Sequence, residues 1–191
     1  MVTKRGIDVR TIAITGIMIA VVAVFTRFIV IPIGTGYFNF SDVAIYFAAF
    51  TFGPWIGFVA GGVGAALADI SLGYSQFAIL TFFAHGLEGL LAGYLAWEGG
   101  PIARLVGKGD ARLRMFLGWL AGTVVMVGLY FAGEASVPAV WGGLPQALTE
   151  WPFNVLQNVA GGIVGIPLVL AVRKAYPPLT QMALGATWRE H

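Results

Sequence analysis

Charged residues in this chain come in clumps, with long uncharged runs between them. The stretch "GPWIGFVAGGVGAALADISLGY", residues 53–74, shows the pattern: sixteen uncharged residues, then Asp69, then a glycine turn. A soluble fold needs a polar surface, and ordinary soluble domains carry about 25% charged residues. Here the charged share is 10% and the apolar share 58% of 191 residues, too little polarity to cover a globule. The chain therefore reads as an all-α integral membrane protein, one domain over residues 1–191.

A spanning helix needs about 20 apolar residues, fewer where neighbours shelter it. Six stretches qualify: 11–31, a short 41–52 ending at Gly53-Pro54, 54–72, 76–97, 113–132 and 151–172, followed by a tail over 173–191. Between the last two spans, "EASVPAVWGGLPQALTE" carries an acid at each end, two prolines and a glycine pair, and reads as a loop or re-entrant piece. The start of the chain has the charge order of a signal peptide. Its apolar run continues through Arg27 to Pro32 without a small-residue cleavage site, so it reads as a retained first helix. Cysteine is absent, which excludes disulfides.

Cytoplasmic loops of membrane proteins collect Lys and Arg. Lys4, Arg5 and Arg10 precede the first span; Arg104, Lys108, Arg112 and Arg114 separate the fourth from the fifth; Arg173, Lys174 and Arg189 follow the sixth. A six-helix bundle with both termini cytoplasmic places ten of the eleven basic residues inside and leaves Arg27 near the other face. Asp8, Glu98, Asp110 and Glu190 go with the cytoplasmic segments. Asp42, Asp69, Glu134 and Glu150 fall at extracellular helix ends, and Glu88 lies about three turns into the fourth helix from that side.

These acids have polar company. Tyr37, Phe38, Asn39 and Phe40 lie just before Asp42, an aromatic set suited to covering a flat ligand. Tyr74 and Gln76 follow Asp69. His85 and Glu88 are three residues apart and share a helix face, as do Asn154, Gln157 and Asn158 on the sixth helix. Polar groups inside a membrane protein face the bundle interior or a cavity and mark a functional path. Each also has a structural reading: Asp42 as a helix cap, Asp69 as a partner for Arg27, His85 and Glu88 bonded to each other, Asn154 and Gln157 as interhelical bonds, Trp141 and Trp151 as an interfacial belt. Their convergence on one side of the bilayer is the informative fact.

Glycine is abundant, 27 residues, and recurs at helical spacing: Gly57, Gly61 and Ala65, then the pairs Gly16–Ala20, Gly89–Gly93, Gly118–Gly122 and Gly161–Gly165. Small residues let helix backbones approach where lipid gives no hydrophobic drive, so most of these rows read as internal packing. The row on the first helix, at the bundle's edge, could instead dock another membrane subunit. No Walker A motif is present, so the chain cannot itself drive transport with ATP. HExxH and G-x-S-x-G are missing as well. With His191 the only other histidine, His85-x-x-Glu88 is weak support for a metal, and neither zinc nor haem nor any other cofactor is expected.

The run "NFSDVAIYFAAFTFGPWIGFVAGGVGAALADISLGYSQFAILTFFAHGLEGLLAGYLA" resembles the S components of energy-coupling factor (ECF) transporters, in particular the riboflavin and hydroxymethylpyrimidine branch. The matching elements are an Asp opening a short second helix, Y-x-A-A, G-P-x-x-G-x-x-A-G, an acid-then-glycine helix end and G-L-E-G-x-x-A-G; Glu134 and "PFNVLQNVAGGIVG" fit downstream. The resemblance covers roughly residues 10–173 and implies a six-helix subunit that binds a vitamin or precursor from outside. It further implies a transmembrane coupling subunit and two cytoplasmic ATPases as partners. On that reading the ligand meets Tyr37, Phe38, Asn39, Asp42, Tyr74, Gln76, His85, Glu88, Glu134, Asn154, Gln157 and Asn158. Gly16 and Ala20 stand in for the family's small-residue docking motif. Many relatives carry Lys where this chain has His85, so the resemblance does not carry over a particular vitamin.

The expected function is capture, not catalysis: a riboflavin-like, pyrimidine or pyridine solute held for uptake by ATP-driven partners. Glu88 and Glu134 favour a neutral or cationic, donor-rich ligand over a multiply anionic one. Two other classes stand beside it. A self-sufficient channel or secondary transporter would show flux in liposomes without ATPases. An intramembrane enzyme using His85 with Glu88 or Glu134 as acid and base would show turnover.

Overall fold

The computed structural model describes residues 9–106 and 110–178. Lys4, Arg5, Asp8, Lys108, Arg189, Glu190 and His191 lie outside the described residues. The elements in chain order are α1 (Val9–Phe28), β1 (Ile31–Ile33), β2 (Gly36–Phe38), α2 (Ser41–Phe52), α3 (Pro54–Leu72), α4 (Ala78–Ala96), α5 (Pro101–Val106), α6 (Ala111–Ser136), α7 (Pro138–Trp141) and α8 (Gly143–Ala175). Five helical stretches are long and apolar enough to cross a membrane; α2, at 12 residues, is too short to do so alone. All six expected spans are therefore helices, with different ends.

The short helix is the innermost. Ten of the twelve α2 residues are buried, because α3, α4 and α8 pack around it and α1 covers a further side. Around this centre α3 lies on α4, α4 on α6 and α6 on α8. By contrast α1 buries only Met18, Val22 and Thr26 and turns Ile12, Ile17, Val24 and Phe28 outward.

The glycine rows explain how apolar helices come this close. A Cβ at Gly61 would sit 2.6 Å from the His85 carbonyl, and Gly57 and Gly89 each face the other's backbone on the α3–α4 seam. Any larger residue there would push the helices apart, so the seam is built on backbone contact. Gly161 does the same on α8, where a Cβ would fall 2.5 Å from that of Asp42. Gly16 is the exception: a Cβ there meets nothing within 4 Å, and Ala20 is likewise exposed.

Three boundaries differ from the sequence reading. The first helix ends at Phe28, and Ile29–Ile31 leave it to form an antiparallel hairpin, Ile31 opposite Phe38 and Ile33 opposite Gly36. The β-branched run before Pro32 favours extended backbone, and Gly34 supplies the turn's left-handed φ of +58°. The segment between Glu134 and Glu150, expected as a loop or a half-buried re-entrant piece, is mostly helical. α6 runs on to Ser136, α7 follows, and Gly142 and Gly143 turn the chain at φ +87° and +74° into α8. Pro145 sits in the first turn of α8, where its missing N–H costs nothing. Finally, α5 is an unexpected short helix in the basic segment after α4.

Candidate functional site

One end of the bundle holds a polar cavity, formed where α1, α3 and α6 end and α2, α4 and α8 begin. The hairpin and the residues after it roof the cavity with Gly36, Tyr37 and Asn39; Thr26 and Asp69 close α1 and α3; Phe77, Thr81 and His85 come from the start of α4. Tyr130 of α6 and Glu150, Asn154 and Gln157 of α8 complete the wall. The space enclosed is about 30 Å³, room for a water-sized group.

Three hydrogen bonds hold the roof down, and each acceptor is a cavity residue. The Gly36 amide donates to Glu150 Oε1 at 2.7 Å, and the Asn39 amide to Gln157 Oε1 at 2.9 Å. The Tyr37 hydroxyl donates to Asp69 Oδ1 at 2.5 Å. Burial, reinforced by the Asp69 carboxylate, holds the Tyr37 phenol well above its usual pKa, so it stays a donor. Tyr74 packs on the Tyr37 ring with centroids 4.7 Å apart, and Phe38 meets Phe40 edge-on. Gln146 reaches Glu150 from one turn earlier on α8.

Beneath the cavity lies a second layer of polar groups. His85 Nδ1 is 2.7 Å from Glu88 Oε2 and 3.2 Å from Asp42 Oδ1, all three residues buried. Asn158 Nδ2 donates to the other Glu88 oxygen at 2.9 Å. Asn158 Oδ1 accepts from Thr123 at 2.7 Å and from the Tyr46 hydroxyl, while Trp119 Nε1 donates to the Asn158 carbonyl at 2.9 Å. Both acceptor positions of the side-chain oxygen are thus filled, and one amide N–H orients Glu88. Four helices, α2, α4, α6 and α8, are tied together through this chain of bonds.

Several buried atoms of the site find no hydrogen-bond partner in the protein: Asp42 Oδ2, Asp69 Oδ2, Asn154 Nδ2 and both carboxylate oxygens of Glu134. Glu134 and Glu150 lie within hydrogen-bonding reach of each other, and a bond between them needs a proton on one of the two carboxyls. Leaving a buried polar atom unpaired costs about 1–3 kcal/mol. Concentrating several around one cavity is a cost that a bound polar solute would relieve.

Of the residues singled out in the sequence, Tyr37, Asn39, His85, Asn154 and Gln157 line the cavity. Asp42, Glu88 and Asn158 form the layer beneath it, Phe38 and Tyr74 brace the roof, and Glu134 stands behind Glu150. Gln76 is placed elsewhere: its side chain is exposed and its carbonyl accepts from Trp141 Nε1 at 2.8 Å. The wall also holds Thr26, Gly36, Ala65, Asp69, Phe77, Thr81, Tyr130 and Glu150, none of which is in the expected ligand set. Asp69 and Glu150 carried a signal, as carboxylates at apolar helix ends on the same side; the others carried none. The Asp69–Arg27 pairing is replaced by Tyr37 on one partner and by Ser71, 2.5 Å from Arg27 Nη1, on the other.

A bundle of apolar helices with a roofed polar cavity at one end defines a multi-pass membrane protein that holds a small solute. Sequence comparison narrows the class: the family described as "ECF-type riboflavin transporter, S component" matches residues 6–174, and the chain belongs to that family. S components are transport proteins, not enzymes; they bind a vitamin and work with a membrane component and ATPase subunits. Among relatives, a Pyrococcus woesei protein described only as "uncharacterized protein in gap 3'region" is 36% identical over 152 residues, covering 79% of this chain and 92% of its own. The thiamine precursor transporter HmpT of Lactococcus lactis subsp. cremoris (strain MG1363) is 26% identical over 160 residues, covering 82% and 84%. A solved structure described as the S component of a bacterial ECF transporter superposes with a TM-score of 0.66 at 22% identity, covering 86% of this chain and 95% of that one. This last likeness speaks to the fold.

Proposed function

We propose that this S component captures a heteroaromatic vitamin or vitamin precursor, riboflavin-like or of the pyrimidine/pyridine type, in the cavity beneath the hairpin. The observation that carries the reading is the set of unpartnered buried atoms, Asp69 Oδ2, Asn154 Nδ2 and the Glu134 carboxylate, at or behind the cavity wall. Most of these are acceptors, which suits a neutral or cationic ligand rich in N–H and O–H donors and disfavours a multiply anionic one. The family description and the resemblance to HmpT point to the same chemical range.

Pockets for ligands of drug-like size span roughly 300–1,000 Å³, far more than the 30 Å³ enclosed here. The cavity would widen for such a ligand on lifting of the hairpin. Its three tethers end on Glu150, Gln157 and Asp69, so the acceptors freed by lifting become available to the solute. The roofed end would face the outside and both chain ends the cytoplasm, which gathers the basic residues on the inner side. A transmembrane coupling subunit and two ATPases would supply the energy, and the exposed Gly16–Ala20 face of α1 is the proposed contact.

A panel of vitamins titrated onto the purified chain tests this reading. Binding of a flavin or of a pyrimidine or pyridine precursor is expected, with mass spectrometry of co-purifying small molecules giving the same compound. Tight binding of a multiply anionic ligand, with none of the heteroaromatics bound, would overturn it.

A further inference from the structure

We propose that Asp42, His85 and Glu88 form a site for a divalent first-row transition-metal ion beneath the cavity. One ligand atom from each of the three side chains can be chosen so that all lie within 4.8 Å of one another, and all three residues are buried. Imidazole and carboxylate are both ligand types such ions take, and three protein ligands leave a further coordination position for water or solute. Of the three residues His85 lines the cavity, which puts the set next to the captured ligand.

Charge and unmet bonding point the same way. Two carboxylates in a low-dielectric interior converge on one imidazole nitrogen, Nδ1, which has at most a single proton to share between them. A divalent ion in place of that proton would match the carboxylate charge and bring both acids into ordinary coordination. Asp42 Oδ2 has no partner although the residue is completely buried, so one oxygen of the set is already free to ligate. The other acid is held in place: Asn158 donates to Glu88 Oε1 and leaves Oε2 directed at His85. Metal ligands are commonly oriented by such outer partners. Gly161 lets α8 press against Asp42 and fixes the α2 end of the set. An imidazole between carboxylates selects a transition metal such as zinc over magnesium or calcium, which prefer oxygen ligands and water.

The proposal rests on the capture reading only for the ion's role toward a solute, and the test separates the two. The full chain, purified and stripped with a chelator, is titrated with Zn²⁺ in competition with a chromophoric chelator; vitamin binding is measured on the same sample with and without zinc. One zinc per chain is expected. Its affinity should fall by more than about 100-fold in His85→Ala and Asp42→Asn, and by about 10–100-fold in Asn158→Ala, which keeps all three ligands and removes the outer partner of Glu88. Glu134→Gln should leave it unchanged. Co²⁺ substitution reports ligand geometry by its d–d absorption, and Glu88→Gln serves if His85→Ala does not fold. No zinc uptake, or uptake equal in wild type and the ligand variants, overturns the metal site, whatever the vitamin result. Zinc bound as described, with no vitamin bound in either condition, overturns the capture reading and leaves the metal site standing.

Discussion

The two ends of the bundle use polar residues in opposite ways. At the end away from the cavity, arginines finish helices. Arg173 Nη2 donates to the Phe50 carbonyl in the last turn of α2 at 2.6 Å, and Arg114 Nε donates to the last α4 carbonyl, that of Ala96, at 3.2 Å. Arg114 also lies 3.6 Å from Glu98, and of these groups Arg173 Nε is left over. A cation at a helix C-terminus satisfies orphan carbonyls and complements the helix dipole. At the cavity end the charged groups are acids apart from Arg27, which bonds Ser71, and several of the carboxylate oxygens stay unpaired. Among the described residues, one end is closed mainly by bonds within the protein, with Arg173 Nε and Thr51 Oγ1 left over. The other keeps bonding capacity for something that arrives.

The comparison is broken most severely by Arg114→Ala. Arg114 is only 2% exposed, so its removal empties buried volume and unpairs the Ala96 carbonyl, together about 2–4 kcal/mol, while Glu98, 35% exposed, adds little. Thermal unfolding in detergent should shift down strongly, while the fraction that still folds keeps its vitamin affinity. A loss of affinity without a loss of stability would mean the two ends are not divided as described. Asn154→Ala should do the reverse. Its Nδ2 makes no bond in the protein, so stability changes little, and affinity falls by roughly 5–30-fold, the worth of about 1–2 kcal/mol in a buried ligand hydrogen bond. Equilibrium titration of the two proteins side by side measures this. The smallest effect is expected for Tyr37→Phe, which removes one tether of the hairpin. About 1 kcal/mol of roof stability is at stake, and stopped-flow binding should show both association and release speeded several-fold. Slower association would instead assign the Tyr37 hydroxyl to the ligand.

Reading the sequence found the helices more surely than their ends. Ile29–Ile31 extended the apolar run of α1, yet the pull of β-branched residues and Pro32 toward extended backbone prevailed and made the hairpin. The 134–150 segment looked like a loop because of its prolines and glycines, but Pro145 falls in the one turn of a helix that tolerates it. Gln76 shared a neighbourhood with Asp69 and Tyr74 and still points away from the cavity, since a helix start just after a turn sends adjacent residues in different directions.

Local composition alone was enough to establish a membrane bundle, the helical stretches within it and a gathering of acids and amides near one set of helix ends. That much is legible because a bilayer imposes length and polarity on each segment separately. Which of those polar groups meet is a different matter. Asp42 joins His85 across 43 positions of sequence, and Asn39 reaches Gln157 across 118. Nothing local encodes such meetings; they exist because glycines at Gly57, Gly61, Gly89 and Gly161 let four helices close to backbone distance. Only the packed bundle decides which carboxylate is tied, which is left free, and therefore where a solute can bind.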